Sequence, residues 1–194
     1  MSVLVFGLSG VGKSWLCARI ASLEGYCHVS GSTLLRMAMN KAGSSSTSEQ
    51  LRNGQVLENQ ALLIAGFNAL RTTESRPIIF DGHNIVDQDD RLLEIPLSVV
   101  EQLNPVGIVF VSASPALIRE RRAADIARVR PDRSKDQLDL HQRRGIRLAA
   151  EYARLLGVPF HQIDSAQEPL FQTVVGELFH TKSRPPDAGP VSSA

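Results

Sequence analysis

The chain lacks any apolar run near the roughly 20 residues needed to span a bilayer, and it opens on a strand-like pattern instead of a charged and apolar leader. No membrane partner and a cytoplasmic location are therefore expected. Cysteine is almost absent: Cys17 and Cys27 are the only two, and they lack metal-ligand spacing. Both are expected as reduced thiols in or near the core, without a disulfide. Lysine is equally scarce, with four in the whole chain, and the formal net charge is only +1. That balance argues against a globally basic nucleic-acid binder. Charge is nevertheless unevenly placed, because Arg119 to Arg147 holds nine arginines, which implies local handling of anions. There is no internal repeat.

What is present fits one α/β domain, since 194 residues suffice for a sizeable core but not comfortably for two. Short β-branched runs at Val3 to Phe6, Cys27 to Ser30, Ile78 to Asp81, Ile108 to Val111 and Phe160 to Asp164 alternate with stretches long enough for crossover helices. This pattern predicts a doubly wound parallel sheet of about five strands with helices on both faces. Helices are expected over Lys13 to Ser22, Ser32 to Lys41 and Gln55 to Arg71, and another should start at Ser114-Pro115, with Ser as N-cap and Pro in the first turn. Gly43 to Ser48 reads as a polar, mobile loop. The segment from Thr181 to Ala194, rich in Pro, Gly and Ser, is expected to be a disordered tail.

Chemistry concentrates first at Gly7 to Ser14, a Gly-x-x-x-x-Gly-Lys-Ser sequence between a predicted strand and a predicted helix. Glycines at this spacing let successive N–H groups turn inward around phosphates. Lys13 then reaches the β and γ oxygens, and the Ser14 hydroxyl can ligate Mg²⁺. The motif predicts nucleoside triphosphate binding by Ser9, Gly10, Val11, Gly12, Lys13, Ser14 and Trp15. Ile78 to Phe80 lead into Asp81, a carboxylate expected at the same sheet edge, where it either holds the metal through water or caps the next turn. His83 is a poor Mg²⁺ ligand, which leaves a contact to a second substrate or water, or local hydrogen bonds alone. The arginines between Arg119 and Arg133 suit a site that must offset charge on several phosphate oxygens, because guanidinium forks bind two oxygens at fixed geometry.

The order of several short motifs then resembles a known family. The P-loop is followed by Gly31 to Arg36, Glu49 to Arg52, Phe80 to His83, Leu103 to Pro105 before an apolar strand, Arg121 to Arg130 with its Arg-Arg-x-x-Asp-x-x-Arg-x-Arg spacing, and His141-Gln142 before an Ala-rich helix with Tyr152. Together they are similar to the archaeal-type adenylate kinases, over nearly all of the chain from Val3 to about Phe179. The resemblance implies a P-loop nucleoside monophosphate kinase fold with strand order 2-3-1-4-5. It implies transfer of the ATP γ-phosphoryl to AMP or a related (d)NMP with Mg²⁺, a monophosphate-binding lobe over about 31–73, and a short lid over about 119–135. Position by position, it makes Lys13, Arg122, Arg128 and Arg130 the catalytic cations and Ser14 and Asp81 the metal residues. Thr33, Arg36, Arg52, His83 and Gln142 become contacts to the acceptor nucleotide. Trp15 and Pro131 depart from the family pattern, and Arg144 and Arg147 both lie near the place of one family arginine. The resemblance also leaves a homo-oligomer open.

Two other readings stand beside the kinase. One is a nucleotide-dependent assembly factor with slow ATPase activity, docking nucleic acid or a ribosome through its tail and surplus arginines. The other is a small-molecule hydroxyl kinase, which would need only the triphosphate site and not a second anionic one around Arg36 and Arg52.

Overall fold

The computed structural model describes residues 1–41, 56–88, 91–125 and 130–181. In chain order it forms β1 (Ser2–Phe6), α1 (Lys13–Glu24), β2 (Cys27–Ser30), α2 (Gly31–Lys41), α3 (Val56–Thr73), β3 (Ile78–Asp81), β4 (Ile85–Asp87), β5 (Leu92–Glu94), α4 (Leu97–Gln102), β6 (Gly107–Ser112), α5 (Pro115–Ala124), α6 (Lys135–Leu156), β7 (Phe160–Asp164) and α7 (Glu168–Thr181). Gln55, the loop at 43–48 and the tail beyond Thr181 lie outside the described residues.

Five strands form one parallel sheet in the order β2-β3-β1-β6-β7. This is the expected 2-3-1-4-5 order once β4 and β5 are set apart as a separate antiparallel hairpin. Sequence reading missed that hairpin because three-residue strands are too short to establish a period of two.

β1 explains why both faces must be covered. Its five residues are all buried and apolar or small, and successive side chains point to opposite faces. Val3 and Val5 join Leu16 and Ile20 of α1, Ile118 of α5, and Phe171 and Val175 of α7. Leu4 and Phe6 join Leu34 of α2, Phe67 of α3, Val100 of α4, and Ala149 and Tyr152 of α6. Phe67, fully buried, meets Phe80 edge to face at 5.6 Å between ring centroids. Burial of a ring of this size contributes about 1.5–3 kcal/mol.

Two helices near the site carry their own start signals. Ser114 accepts a hydrogen bond from the Leu117 amide with Pro115 in the first turn of α5, and Ser134 forms a reciprocal capping box with Gln137 at the start of α6. β1, β2, β3 and β6 all end at one sheet edge, with Val5 and Ser30 both in register with Asp81. The strand order runs in opposite senses on the two sides of β1, which is where a ligand crevice is expected in such sheets.

Candidate functional site

The loop after β1 turns through Gly10 at φ 94° and Gly12 at φ 99°, a left-handed region that side chains disfavour. A Cβ at Gly12 would sit 2.9 Å from Arg121 Nη1, so that guanidinium would have to shift. Gly12 is the residue before α1 and provides no side-chain cap, in contrast to Ser114 and Ser134. The first amides of α1 thus have no side-chain cap, and the helix dipole makes that end favourable for an anion.

Lys13 and Asp81 are buried at this loop, with Nζ 3.6 Å from Oδ1. Ser14 Oγ donates to Asp81 Oδ2, and His28 Nε2 lies 3.7 Å from the same oxygen. Burial opposes ionisation of Asp81, but Lys13, then His28 and Ser14, outweigh it and hold the carboxyl well below its ordinary pKa. His83 donates from Nδ1 to the Gly7 carbonyl at 2.7 Å, which leaves the Nε2 lone pair 3.5 Å from Lys13 Nζ. Desolvation, then Lys13, push its pKa down, so the ring is neutral at neutral pH even though part of its surface stays exposed. Among the described residues no cluster of three His, Cys, Asp or Glu could hold a metal by itself. Ser14 and Asp81 do present two adjoining hard oxygen donors. That set fits Mg²⁺, which takes few protein ligands and completes its shell with phosphate oxygens and water.

Arginines surround the loop from α5 onward. Arg121 Nη1 donates to the Val11 carbonyl and, at 3.2 Å, to Ser165 Oγ. Arg122 Nε donates to the Ser9 carbonyl at 2.9 Å, and Arg130 Nε to Ser9 Oγ at 2.8 Å. Nη1 of Arg122 and of Arg130 are buried without a hydrogen-bond partner among the described residues. Each side chain therefore has one end fixed on the phosphate loop and one donor left over. Thr33 and Arg36 stand at the start of α2, linked by Arg36 Nη2 to Thr33 Oγ1 at 3.4 Å, and Thr33 is tied back to Ser30.

One expectation is corrected here. Gln142 is buried with both ends of its amide bonded to the backbone of Ala113 at 3.0 Å, so it braces the end of β6 and faces no acceptor. The Trp15 side chain is 59% exposed, with the Arg19 guanidinium 5.7 Å from its ring centroid. Arg52 and Arg128 lie outside the described residues. Sequence reading missed Asp87 as a partner of this region and gave Arg121 no role beyond membership of the arginine cluster. The acidic run beginning at Asp87 in an arginine-rich chain was the available signal.

A family profile described as an AAA domain matches residues 6–139, and the chain belongs to that family. Fold, site and similarity together define a P-loop phosphotransferase. Among curated proteins the chain is similar to the adenylate kinase of Pyrococcus furiosus, at 26% identity over 91% of this chain and 92% of that protein. It is also similar to the adenylate kinase of Methanothermobacter thermautotrophicus, at 28% identity over 91% and 96%. Among solved structures it resembles shikimate kinase from Acinetobacter baumannii, with TM-score 0.57, 12% identity and 95% of each chain covered. The Bacteroides thetaiotaomicron shikimate kinase gives TM-score 0.54 at 13% identity, covering 93% of this chain and 98% of that one. At such identities the structural likeness concerns the fold alone. Among the described residues no helix is long and apolar enough to cross a membrane.

Proposed function

We propose that the chain is a nucleoside monophosphate kinase that moves the γ-phosphoryl of ATP onto AMP or a related (d)NMP with Mg²⁺. The observation that supports this reading is that two groups of residues suited to anions lie at one sheet edge. The uncapped start of α1 with Lys13, Ser14 and Asp81 forms the first. Thr33 and Arg36 form the second, brought alongside by the register of Ser30 with Asp81. A phosphate acceptor needs both, whereas a neutral acceptor needs only the first.

The amides of the loop and Lys13 would bind the triphosphate, and Ser14 with Asp81 would hold the metal. Mg²⁺ would offset charge on the β and γ oxygens. Arg122 and Arg130, fixed on Ser9, would offer their Nη1 donors to charge that develops during in-line transfer. Segment 119–135 serves as a short lid and 31–73 as the acceptor lobe, to which Arg52 belongs by family position. The neutral Nε2 of His83 orients Lys13 or an acceptor group. No general base is required, because an acceptor phosphate oxygen is already ionised.

The test is incubation with Mg-ATP and, separately, AMP, GMP, CMP, UMP and their deoxy forms, with diphosphates separated by chromatography. Rapid conversion of one acceptor is expected. Slow ADP release that ignores every acceptor would overturn the kinase reading in favour of a nucleotide-dependent switch.

A further inference from the structure

Asp87, at the end of β4, is the meeting point of three basic side chains from elsewhere in the fold. Its Oδ1 accepts from Arg133 Nη2 at 3.0 Å and Nε at 3.3 Å, and Arg133 also reaches the Gln88 carbonyl. Its Oδ2 lies 3.9 Å from Arg122 Nη1 and 3.8 Å from His141 Nδ1. All three of these atoms are buried without a hydrogen-bond partner among the described residues. The carboxylate is therefore anchored on Arg133 but only attracts Arg122 through space, while His141, whose pKa burial lowers, faces the same oxygen. A purely structural ion pair would close such contacts, since each unmet buried donor or acceptor is costly.

The electrostatics point the same way. Burial first, then Arg130 and Arg133, push the Arg122 pKa down, and Asp87 is the group that pushes it back up. Arg122 also donates to the Ser9 carbonyl of the phosphate loop. Mutually repelling guanidinium groups beside that loop thus depend on a nearby anion, and Asp87 is a protein-borne one.

We infer that Asp87 is a positioning residue that competes with substrate phosphate for Arg122 and Arg133. It holds Arg122, which bonds the phosphate loop, together with Arg133, and yields them to an incoming triphosphate. The inference rests on the reading of Gly7 to Ser14 as a triphosphate site. A carboxylate in this role sets two quantities in opposite senses: it weakens triphosphate binding by competition, and it keeps Arg122 placed for transfer.

Calorimetric binding of inorganic tripolyphosphate and of a non-hydrolysable ATP analogue, at fixed ionic strength, tests this on the full chain. Asp87→Asn should bind both about fivefold more tightly, while Asp87→Glu, which keeps the charge, stays close to the parent chain. In phosphoryl transfer the Asn variant should lower both the KM for ATP and kcat. Equal or weaker polyphosphate binding by a folded Asn variant would overturn the role of Asp87 and leave the kinase reading intact. Failure of the parent chain to bind either polyphosphate would overturn both. A second measurement needs no variant at position 87: in ¹⁵N spectra of arginine side chains, Nε of Arg122 and of Arg133 should shift together as tripolyphosphate is added. An unmoved Arg133 resonance at saturation would refute the exchange.

Discussion

Replacing Lys13 with Met keeps length and removes charge at the most enclosed cation of the site. Lys13 and Asp81 are 5% and 4% exposed, and their charged atoms are 3.6 Å apart. At an effective dielectric of about 20 their attraction is about 4.6 kcal/mol. Desolvation of two buried groups offsets much of that, so a coupling of about 1–3 kcal/mol is expected. Asp81 keeps the Ser14 hydroxyl and His28 after the substitution, which limits the loss. The assay is a double-mutant cycle of Lys13→Met and Asp81→Asn by urea denaturation without nucleotide. The same Met variant should lose at least about 2.7 kcal/mol of transition-state stabilisation in phosphoryl transfer, roughly a hundredfold, by analogy with deleting a preorganised charge-stabilising donor. A coupling near zero would refute the buried pair, and near-normal turnover would refute the role of Lys13.

Acid sensitivity follows from the histidine beside it. Burial, then Lys13, hold the His83 pKa down in the folded chain, so below about pH 6.5 the unfolded chain binds a proton that the folded chain does not. Stability should fall as pH drops from that point. His141, also lowered by burial, acts in the same direction. His83→Gln should flatten the slope of stability against pH between 6.5 and 4.5, and an unchanged slope would count against the neutral ring. Gly145→Ala places a Cβ 2.8 Å from Phe110 Cε2 in the core. Overpacking of about 1–3 kcal/mol should exceed the helix-propensity gain of at most ~1 kcal/mol, so urea denaturation should show a net loss. A more stable variant would mean that Phe110 can move aside.

The phosphate loop, the five parallel strands and the start of α5 were legible in the sequence because each is fixed by neighbours in the chain. Glycine spacing sets a backbone path, β-branched runs set strands, and Ser114-Pro115 caps its own helix. Asp81 was legible for the same reason, since a carboxylate ending a parallel strand must emerge at the C-terminal edge. The β4–β5 hairpin was not, because its two short strands gain their meaning from packing: Asn84 donates to the Gly145 carbonyl of α6. Gln142 shows the limit of motif order, because only the approach of α6 to β6 revealed that the Ala113 backbone occupies both ends of its amide.

By itself, then, the sequence determined that this chain sets a glycine loop at the edge of a parallel sheet, since short-range sterics and hydrophobic alternation dictate both. The tertiary structure decided which of many arginines do anything there. Arg121, Arg122 and Arg130 reach the loop from about 110 to 121 residues away in the chain, and Arg133 is held by Asp87 46 residues before it. Such long-range pairings depend on how helices pack across the sheet, and charge composition alone carries no record of which cation meets which anion.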